Sequence, residues 1–360
     1  MSTAENAPPE FWETRNYRGR PFFHFDLKVR DGDIPFSVPC RIADRYEVRE
    51  VIARGGGGVV FAAIDQVTTN PVLVKCLAQY DMLRRDLSEP LEEMVESIRR
   101  GRHHLQTERR ILVQLRNAGS NSVPLPCDYA FDSNPALRGP YWTQSGHEWM
   151  FDDASILHSE PFLVLQHVDG MNLKDVLQQL FQNGLEEPLA LRIIDQVARV
   201  IELVQQPLQM PQGQTWRLVY QDLKPANILI DRHGHATVLD FGGCQLVIDE
   251  TLVLHGSHSA GYCAPECGRS HDPLHPSVDC YGLGTTLFHM LTGVGPRSLL
   301  PKDIAPEDSR AVRIDADQLS TRCSKPVVDL VSRCVSWEPE NRIASAREFR
   351  QALAPLLASA

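Results

Sequence analysis

Four side chains with the chemistry needed to move a phosphoryl group stand close together in the second half of this 360-residue chain. A carboxylate, an ammonium and an amide share one short segment, and a second carboxylate opens an Asp-Phe-Gly tripeptide: Asp222, Lys224, Asn227 and Asp240. Phosphoryl transfer depends mainly on positioning and counter-charge, because its transition state spreads negative charge over the moving group. The sequence therefore predicts a site for a nucleoside triphosphate and its magnesium ions.

The residues between these groups have the pattern of a β-hairpin. Apolar runs at 227–230 and 236–239 flank a polar turn at 231–234, with Asp240 at the far end. A purely structural hairpin has no need for this ordered set of acids, lysine and amide. The pattern thus favours a catalytic loop.

A second set of residues that could hold phosphates lies upstream. Residues 46–52 predict a strand, residues 55–58 are four glycines, and residues 59–63 and 72–75 predict two further strands. A glycine backbone can close over phosphates and offer its N–H groups to them. Lys75, at the end of the third strand, supplies a positive charge beside this turn.

Together these segments resemble the eukaryotic-type (Hanks-type) Ser/Thr protein kinase family, whose catalytic loop reads H-R-D-L-K-P-x-N and whose metal loop reads D-F-G. The corresponding segments here read Y-Q-D-L-K-P-A-N and D-F-G. The resemblance covers roughly residues 46–357. It implies an α+β fold with a small β-rich lobe and a large helical lobe, and transfer of the γ-phosphate of ATP to Ser/Thr hydroxyls of a protein substrate. The absence of appended domains fits bacterial members.

The resemblance also implies a role for each residue of the catalytic loop. Asp222 would orient the substrate hydroxyl and accept its proton, and Lys224 would neutralise the moving phosphate. Asn227 and Asp240 would hold Mg2+. Ser259 stands where a hydroxyl bridges the catalytic aspartate and lysine in Ser/Thr kinases.

In the family, the lysine of the third strand is held by a glutamate from the next helix. Residues 87–116 have a helical pattern with an apolar stripe, and Glu108 precedes that stripe by the family's spacing. Glu108 is therefore the favoured partner of Lys75. Three other glutamates are solvated alternatives: Glu92, Glu93 and Glu96. Because the interval from Lys75 to Glu108 is longer than the family's, we expect an extra helical segment before this helix.

The resemblance further implies which residues contact the nucleotide. These are Gly55, Gly56, Gly58, Val60, Lys75, Gln166, Val168 and Leu229. Gln166 and Val168 belong to residues 161–170, which resemble the last small-lobe strand and the hinge. Two residues depart from the family pattern, since Ala53 replaces the first glycine of the loop and Leu73 replaces an alanine above the adenine. We expect altered nucleotide affinity and a narrower pocket.

Residues beyond the metal loop indicate a polypeptide substrate. Residues 261–266, G-Y-C-A-P-E, match the end of the family's activation segment, and residues 279–284 open a helix like the central helix of its large lobe. Arg342 would be the buried partner of Glu266, and breaking such a pair from one side costs roughly 3 to 5 kcal/mol. These features have no purpose in a small-molecule phosphotransferase, which is one alternative reading.

Two further departures concern regulation. Tyr220 replaces the histidine of the catalytic loop, and its ring can still stack on Phe241. Gln221 replaces the arginine that binds a phosphorylated activation segment in many kinases. An amide cannot provide the charge-assisted bidentate contact of a guanidinium. The sequence therefore predicts activity without phosphorylation at a residue such as Ser257.

Composition limits the class of protein. The net charge of −10 gives no support to nucleic-acid or anionic-membrane binding. No apolar run is long enough to cross a bilayer, and the first residues do not form a signal peptide. Nine scattered cysteines predict reduced thiols and a cytoplasmic protein. A zinc site is disfavoured because its candidate ligands match no common spacing: Cys263, Cys267, His258 and His271.

The predicted organisation is an N-terminal extension, 1–44, followed by a kinase domain, 45–357. Within the domain, a small lobe spans about 46–166 and contains an insertion at 132–160, and a large lobe spans about 170–357. The extension precedes the first predicted strand, and its phenylalanines and prolines suggest that it packs across a lobe. A pseudokinase scaffold is the second alternative reading, supported only by Ala53, Leu73 and Gln221.

Overall fold

The computed structural model describes residues 12–17, 19–29, 32–55, 58–77, 91–132, 160–209, 213–249, 251–254, 256, 258–267, 273–299, 314 and 319–359. The chain forms two compact units. One comprises residues 1–110 and 125–167, and the other comprises residues 111–124 and 168–360. The first unit is rich in β-strands and the second is mainly helical, which agrees with the predicted α+β fold.

The first unit begins with a three-stranded antiparallel sheet, β1 (Glu13–Tyr17), β2 (Arg20–Val29) and β3 (Gly32–Pro39), in that order. The prediction that residues 1–44 precede the first strand is therefore wrong. Aromatic residues favour strands, and here the buried Phe25 and Phe36 lie side by side on paired strands. Both rings also contact Phe61 of the next sheet, at centroid distances of 6.3 and 5.8 Å. The extension is thus part of the hydrophobic core of this unit.

The main sheet of the first unit has six antiparallel strands, and it too begins earlier than predicted. Its strands are β4 (Arg41–Ile42), β5 (Tyr46–Gly55), β6 (Gly58–Asp65), β7 (Pro71–Leu77), β8 (Pro126–Asp132) and β9 (Glu160–Gln166). Their order is β4-β5-β6-β7-β9-β8. Residues 133–159 of the predicted insertion lie outside the described residues.

A single long helix, α1 (Leu91–Asn117), follows the third predicted strand. Its predicted apolar stripe is buried: Leu105, Ile111, Leu112 and Leu115. The helix covers most of the predicted helical range, whereas residues 78–90, where the extra helical segment is expected, lie outside the described residues. Glu108 thus lies in the middle of a continuous helix.

The second unit combines helices with two small antiparallel sheets. Its elements are β10 (Met171–Asn172), α2 (Leu173–Gln179), α3 (Glu187–Gln205), β11 (Leu208–Gln209), β12 (Thr215–Val219), β13 (Ile228–Ile230), β14 (Ala236–Val238), β15 (Gln245–Ile248), β16 (Thr251–Leu254), α4 (Ser277–Thr292), α5 (Lys325–Cys334) and α6 (Ala346–Ser359). One sheet has the order β10-β13-β14 and the other β11-β12-β15-β16.

Helix α4 is the centre of this unit. Every residue from Ser277 to Leu291 is buried, and ten of these fifteen residues are apolar or glycine. Its glycines allow close packing, since a Cβ on Gly284 would lie 2.4 Å from the Cβ of Cys334 on α5. Gly293 ends the helix in the left-handed conformation that favours glycine. Within the described ranges, no helix is both long enough and apolar enough to cross a membrane.

Candidate active site

Lys75 and Glu108 form an ion pair in the first unit. Lys75 Nζ lies 2.7 Å from Glu108 Oε2, and Glu108 is 2% exposed. Strand β7 provides the lysine and helix α1 the glutamate, as the sequence predicts. The side chains of Glu92, Glu93 and Glu96 lie outside those described. A buried glutamate holds the lysine ammonium in one place, where it can meet a phosphate oxygen.

The glycine-rich segment joins β5 to β6, with Gly55 paired to Gly58. Gly56, one of the predicted nucleotide contacts, lies outside the described residues. A Cβ on Gly58 would lie 2.3 Å from the carbonyl oxygen of Cys76, so this glycine is required by the close approach of β7. Sequence reasoning assigned Gly58 to phosphate binding alone and missed this packing role. Val60 pairs with Lys75 across β6 and β7.

The predicted hinge residues lie at the end of β9. Leu165 is buried and pairs with Leu73 of β7. Leu73 stands where the family has alanine. The amide of Gln166 donates to the carbonyl oxygen of Leu125 at 2.8 Å. Val168 belongs to the second unit and Gln166 to the first. The backbone N–H of Gln166 is therefore used in a hydrogen bond within the first unit.

The catalytic loop of the second unit places four predicted residues in contact. Asp222 Oδ2 lies 2.7 Å from Lys224 Nζ, and the Asn227 amide donates to the Asp222 carbonyl oxygen at 2.9 Å. Lys224 Nζ also donates to Ser259 Oγ at 2.5 Å. Asp222 Oδ1 is buried and has no hydrogen-bond partner among the described residues. One carboxylate oxygen is thus held by Lys224, while the hydrogen-bonding capacity of the other is unused among the described residues.

The hairpin that carries the second carboxylate forms as predicted. Strands β13 and β14 pair antiparallel, and the amide of Leu239 donates to the carbonyl oxygen of Asn227 at 2.9 Å. Leu229 lies in the middle of β13. Asp240 follows the hairpin in a left-handed conformation, with φ of 58°. The hairpin therefore connects the catalytic loop, which precedes it, to the Asp-Phe-Gly loop, which follows it.

Asn227 and Asp240 suit a magnesium ion chemically. Mg2+ prefers oxygen ligands such as carboxylates, and usually binds proteins through only one or two of them together with phosphate oxygens. The Nδ2 group of Asn227 donates to Asp222, so the side-chain oxygen is the atom that could bind a metal ion. Asp240 is exposed and supplies an anionic oxygen. Both groups fit the ion that the sequence predicts.

The ring of Tyr220 contacts the metal loop at Phe241. Its ring lies 5.3 Å from that of Phe241 at an interplanar angle of 77°, an edge-to-face contact. Its hydroxyl donates to the carbonyl oxygen of Leu239. The predicted aromatic contact is confirmed, and the hydroxyl adds a hydrogen bond next to Asp240.

Asp279 anchors the catalytic loop, a role that sequence reasoning missed. This buried carboxylate on α4 accepts from the amides of Gln221 at 2.8 Å and Tyr220 at 3.2 Å. Burial raises the pKa of Asp279 to about 6, and these hydrogen bonds oppose the shift. The available signal was the one acidic residue in a mostly apolar helix.

The segment from Ser259 to Glu266 is fixed to the helical core at two points. Arg342 donates to Glu266 at 2.6 and 3.2 Å, and the arginine side chain is fully buried. The hydroxyl of Tyr262 lies 2.7 Å from Nδ1 of His289. Burial lowers the pKa of His289 to about 4, which keeps the ring neutral near pH 7. The first pair was predicted, and the second was not.

The cysteines considered as zinc ligands are enclosed in the same region. Cys263 and Cys267 are both buried, and burial raises the pKa of the Cys267 thiol. His258 is described, whereas His271 lies outside the described residues. Both cysteines are therefore buried residues at the end of the segment from Ser259 to Glu266.

Comparison with known proteins agrees with this geometry. A family model for the protein kinase domain matches residues 147–354. G protein-coupled receptor kinase 4 of Mus musculus is 31% identical over 187 residues, which cover 52% of this chain and 31% of that protein. Serine/threonine-protein kinase PknB of Mycobacterium leprae (strain TN) is 25% identical over 318 residues, which cover 87% of this chain and 43% of the relative.

PknB of Mycobacterium tuberculosis (strain ATCC 25618 / H37Rv) is also 25% identical, over 321 residues. The chain spans less than half the length of each of these relatives. The match to the family model nevertheless covers more than half of the chain and includes the catalytic loop, the metal loop and the Glu266–Arg342 pair. The chain belongs to the protein kinase family.

Proposed function

We propose that the protein is a protein kinase that transfers the γ-phosphate of ATP to Ser and Thr hydroxyls of protein substrates, with Mg2+ as cofactor. The arrangement around Asp222 carries this proposal. Its Oδ2 is held by Lys224, whereas its buried Oδ1 has no partner in the described part of the chain. A positioned acceptor of this kind can orient a hydroxyl and take its proton, as general-base catalysis requires.

Other residues would hold the phosphates and the metal. Lys224 supplies counter-charge beside Asp222, and Asn227 and Asp240 would ligate Mg2+. When bound, magnesium neutralises phosphate charge. Lys75, held by Glu108, would contact the nucleotide phosphates. The remaining proposed nucleotide contacts are Gly55, Gly56, Gly58, Val60, Gln166, Val168 and Leu229.

Three observations favour a Ser/Thr-specific protein kinase over the alternatives. Ser259 bonds to Lys224, so a hydroxyl lies beside the acceptor site as in Ser/Thr kinases. The Glu266–Arg342 pair fixes a segment that only a polypeptide substrate requires. The PknB relatives are named serine/threonine-protein kinases. A pseudokinase role has less support, because Lys75, Glu108, Asp222 and Lys224 are all present and paired.

We further propose that the kinase domain occupies residues 45–357 and that the protein is cytoplasmic. All nine cysteines are free thiols, six of them buried. Free thiols are typical of a reducing compartment. Strands β1 to β3 form a sheet that shares the core of the first unit, so they belong to the same folded unit as the start of the domain.

The test is transfer of radiolabelled phosphate from ATP to a generic basic protein substrate, with and without Mg2+. We expect label on phosphoserine and phosphothreonine after acid hydrolysis. The matched control is Asp222→Asn, which keeps the shape of the side chain but removes its basicity. Label on phosphotyrosine alone would contradict Ser/Thr specificity. No labelling of protein, with ATP still bound, would favour the pseudokinase reading.

A further inference from the structure

The two faces of the main sheet in the first unit differ in how they are covered. Val60 of β6 pairs directly with Lys75, and Phe61 pairs directly with Val74. Paired residues share a face and successive residues alternate, so Lys75 and Phe61 lie on opposite faces. Between residues 59 and 64, the residues on the Phe61 face are buried, whereas those on the Val60 face are only partly buried. The face opposite Lys75 is therefore the more completely covered one.

The N-terminal sheet, strands β1 to β3, covers the Phe61 face. Phe25 and Phe36 are directly paired on β2 and β3, and both rings contact Phe61. Trp12 stacks on Phe25 at a centroid distance of 4.4 Å and an interplanar angle of 9°. An antiparallel sheet can leave one of its faces in water. Here that face packs on aromatic rings instead, and Phe61 is fully buried.

One buried carboxylate fixes the N-terminal sheet to the main sheet at a second place. Asp132 ends β8, an edge strand, and its side chain is 3% exposed. Its Oδ2 atom accepts from Arg20 of β2 at 3.0 Å and from the backbone amide of Ala43 at 2.6 Å. Ala43 directly follows β4, the other edge strand of the main sheet. A single acid thus joins the N-terminal sheet to both edges of the main sheet.

These contacts act on the strands that carry the proposed phosphate-binding groups. Phe61 is next to Val60 and lies three residues from Gly58, where the glycine-rich segment meets β6. Glycine gives that segment little stiffness of its own, so the strands on each side determine where it lies. Lys75 is on β7, whose Val74 pairs with Phe61. Movement of Phe61 would therefore displace both the glycine-rich segment and Lys75.

We propose that the N-terminal sheet is a positioning element for nucleotide binding: Phe36, packed on Phe61, holds β6 and β7 so that the glycine-rich segment and Lys75 keep the geometry that nucleotide phosphates require. This inference rests on the proposed kinase function and assigns strands β1 to β3 a role in it. Phe36 is a positioning residue, because it acts through Phe61 from the face opposite Lys75. Holding the strands in this way favours binding, since less free energy is spent on ordering the site.

A substitution at Phe36 tests the inference. Phe36→Leu is chosen over Phe36→Ala, whose larger cavity can unfold the protein. Phe349→Leu is the matched control, because Phe349 is buried to a similar extent in α6 of the second unit. Circular dichroism and urea denaturation show that each variant is folded and how much stability it has lost. Calorimetric titration with magnesium–ATP gives the nucleotide affinity, and hydrogen–deuterium exchange of peptides covering β5 and β6 gives the order of these strands.

We expect Phe36→Leu to weaken magnesium–ATP affinity by about tenfold, because a less ordered site binds less well, and to exchange faster in β5 and β6. KM for ATP should rise in parallel, while kcat at saturating ATP stays near the wild-type value. Phe349→Leu should lose stability to a similar degree, yet keep the wild-type affinity, KM and exchange in these strands. This difference separates positioning of the strands from a general loss of stability.

Wild-type affinity and exchange in folded Phe36→Leu would overturn the inference, and so would an equal loss of affinity in Phe349→Leu. Titration and exchange need no turnover. A wild-type protein that binds magnesium–ATP but labels no protein would therefore contradict the proposed function alone, because comparing Phe36→Leu with wild type still decides the inference. A wild-type protein that binds no nucleotide would contradict both.

Discussion

The carboxylate of Asp279 accepts a hydrogen bond from the backbone amide of Gln221 at 2.8 Å, across 58 residues of chain. The same carboxylate accepts from Tyr220 and from the side chain of Gln205. Three N–H groups therefore converge on one buried acid in the central helix. The backbone directly before Asp222 is therefore fixed to the buried helix α4, which determines its position.

Asp279→Asn should destabilise the protein and slow the reaction. The asparagine amide group must face at least one of the N–H donors, and a buried donor left unsatisfied costs about 1 to 3 kcal/mol. Chemical denaturation measures the free energy of unfolding, and initial rates measure kcat. The control is Asp329→Asn on the exposed face of α5. Equal stability of the two variants would contradict the anchoring role.

Asp222→Asn should abolish phosphoryl transfer while nucleotide affinity stays nearly unchanged. The carboxylate is expected to act on the substrate hydroxyl, and general-base assistance is typically worth about 10² to 10⁴ in rate. Radiolabel transfer gives the rate, and calorimetric titration with magnesium–ATP gives the affinity. A variant that phosphorylates protein as fast as wild type would show that the role is assigned to the wrong residue.

Asp240→Ala should impair magnesium-dependent ATP binding more than Asn227→Ala. The first change removes an anionic ligand, whereas the second removes a neutral oxygen. Titrations with ATP at several magnesium concentrations separate metal affinity from nucleotide affinity. Unchanged magnesium–ATP affinity in Asp240→Ala would mean that the nucleotide is held in another way, as in a pseudokinase.

The fully dephosphorylated protein should already be active. Gln221 offers no cation for a phosphate, so initial rates should be similar before and after phosphatase treatment and in Ser257→Ala, whose position lies outside the described residues. Ser259→Ala should lose activity for a different reason, since Ser259 bonds directly to Lys224. A rate that collapses on dephosphorylation and returns after autophosphorylation at Ser257 would contradict this prediction.

His289→Gln should change how stability depends on pH. Burial lowers the pKa of His289 to about 4, below the 6.5 of an exposed histidine, so the unfolded chain binds a proton more readily than the folded one. Wild-type protein should therefore lose stability as pH falls from 6.5 to 4, by at most about 3 kcal/mol relative to the variant.

The difference in stability between wild type and His289→Gln reports the contribution of the histidine alone. Asp279, whose pKa is raised to about 6, acts in the opposite direction, because its contribution is lost as pH rises from about 4 to 6. Both proteins contain it, so it cancels in the difference. Urea denaturation at several pH values measures that difference, and parallel pH profiles for the two proteins would contradict the assigned shift.

Sequence reasoning located features that depend on short motifs. The hairpin before Asp240 could be predicted because its apolar and turn residues are contiguous, and the Glu266–Arg342 pair because each residue lies in a recognisable motif. Glu108 could be predicted as the partner of Lys75 from its position relative to the apolar stripe of the helix and from the spacing in the family. The functions of these residues remain predictions.

Features that depend on tertiary packing could not be predicted in the same way. The Tyr262–His289 bond joins two segments with no shared pattern, and the need for Gly58 arises from a carbonyl on another strand. The N-terminal sheet was missed because its phenylalanines suggested packing but not the strands that carry them. Each of these contacts is set by distances that local periodicity does not encode.

The N-terminal sheet has a consequence for the order in which the first unit assembles. Strands β1 to β3 pair with neighbours in sequence, whereas the six-stranded sheet must bring Val74 to Val164. Local pairings form sooner than distant ones, because less loop entropy has to be overcome. We therefore expect the β1–β3 meander to form before β7 pairs with β9, so that Phe25 and Phe36 can contact Phe61 early in folding. Strands β1 to β3 would then act as a folding template for the strands that follow.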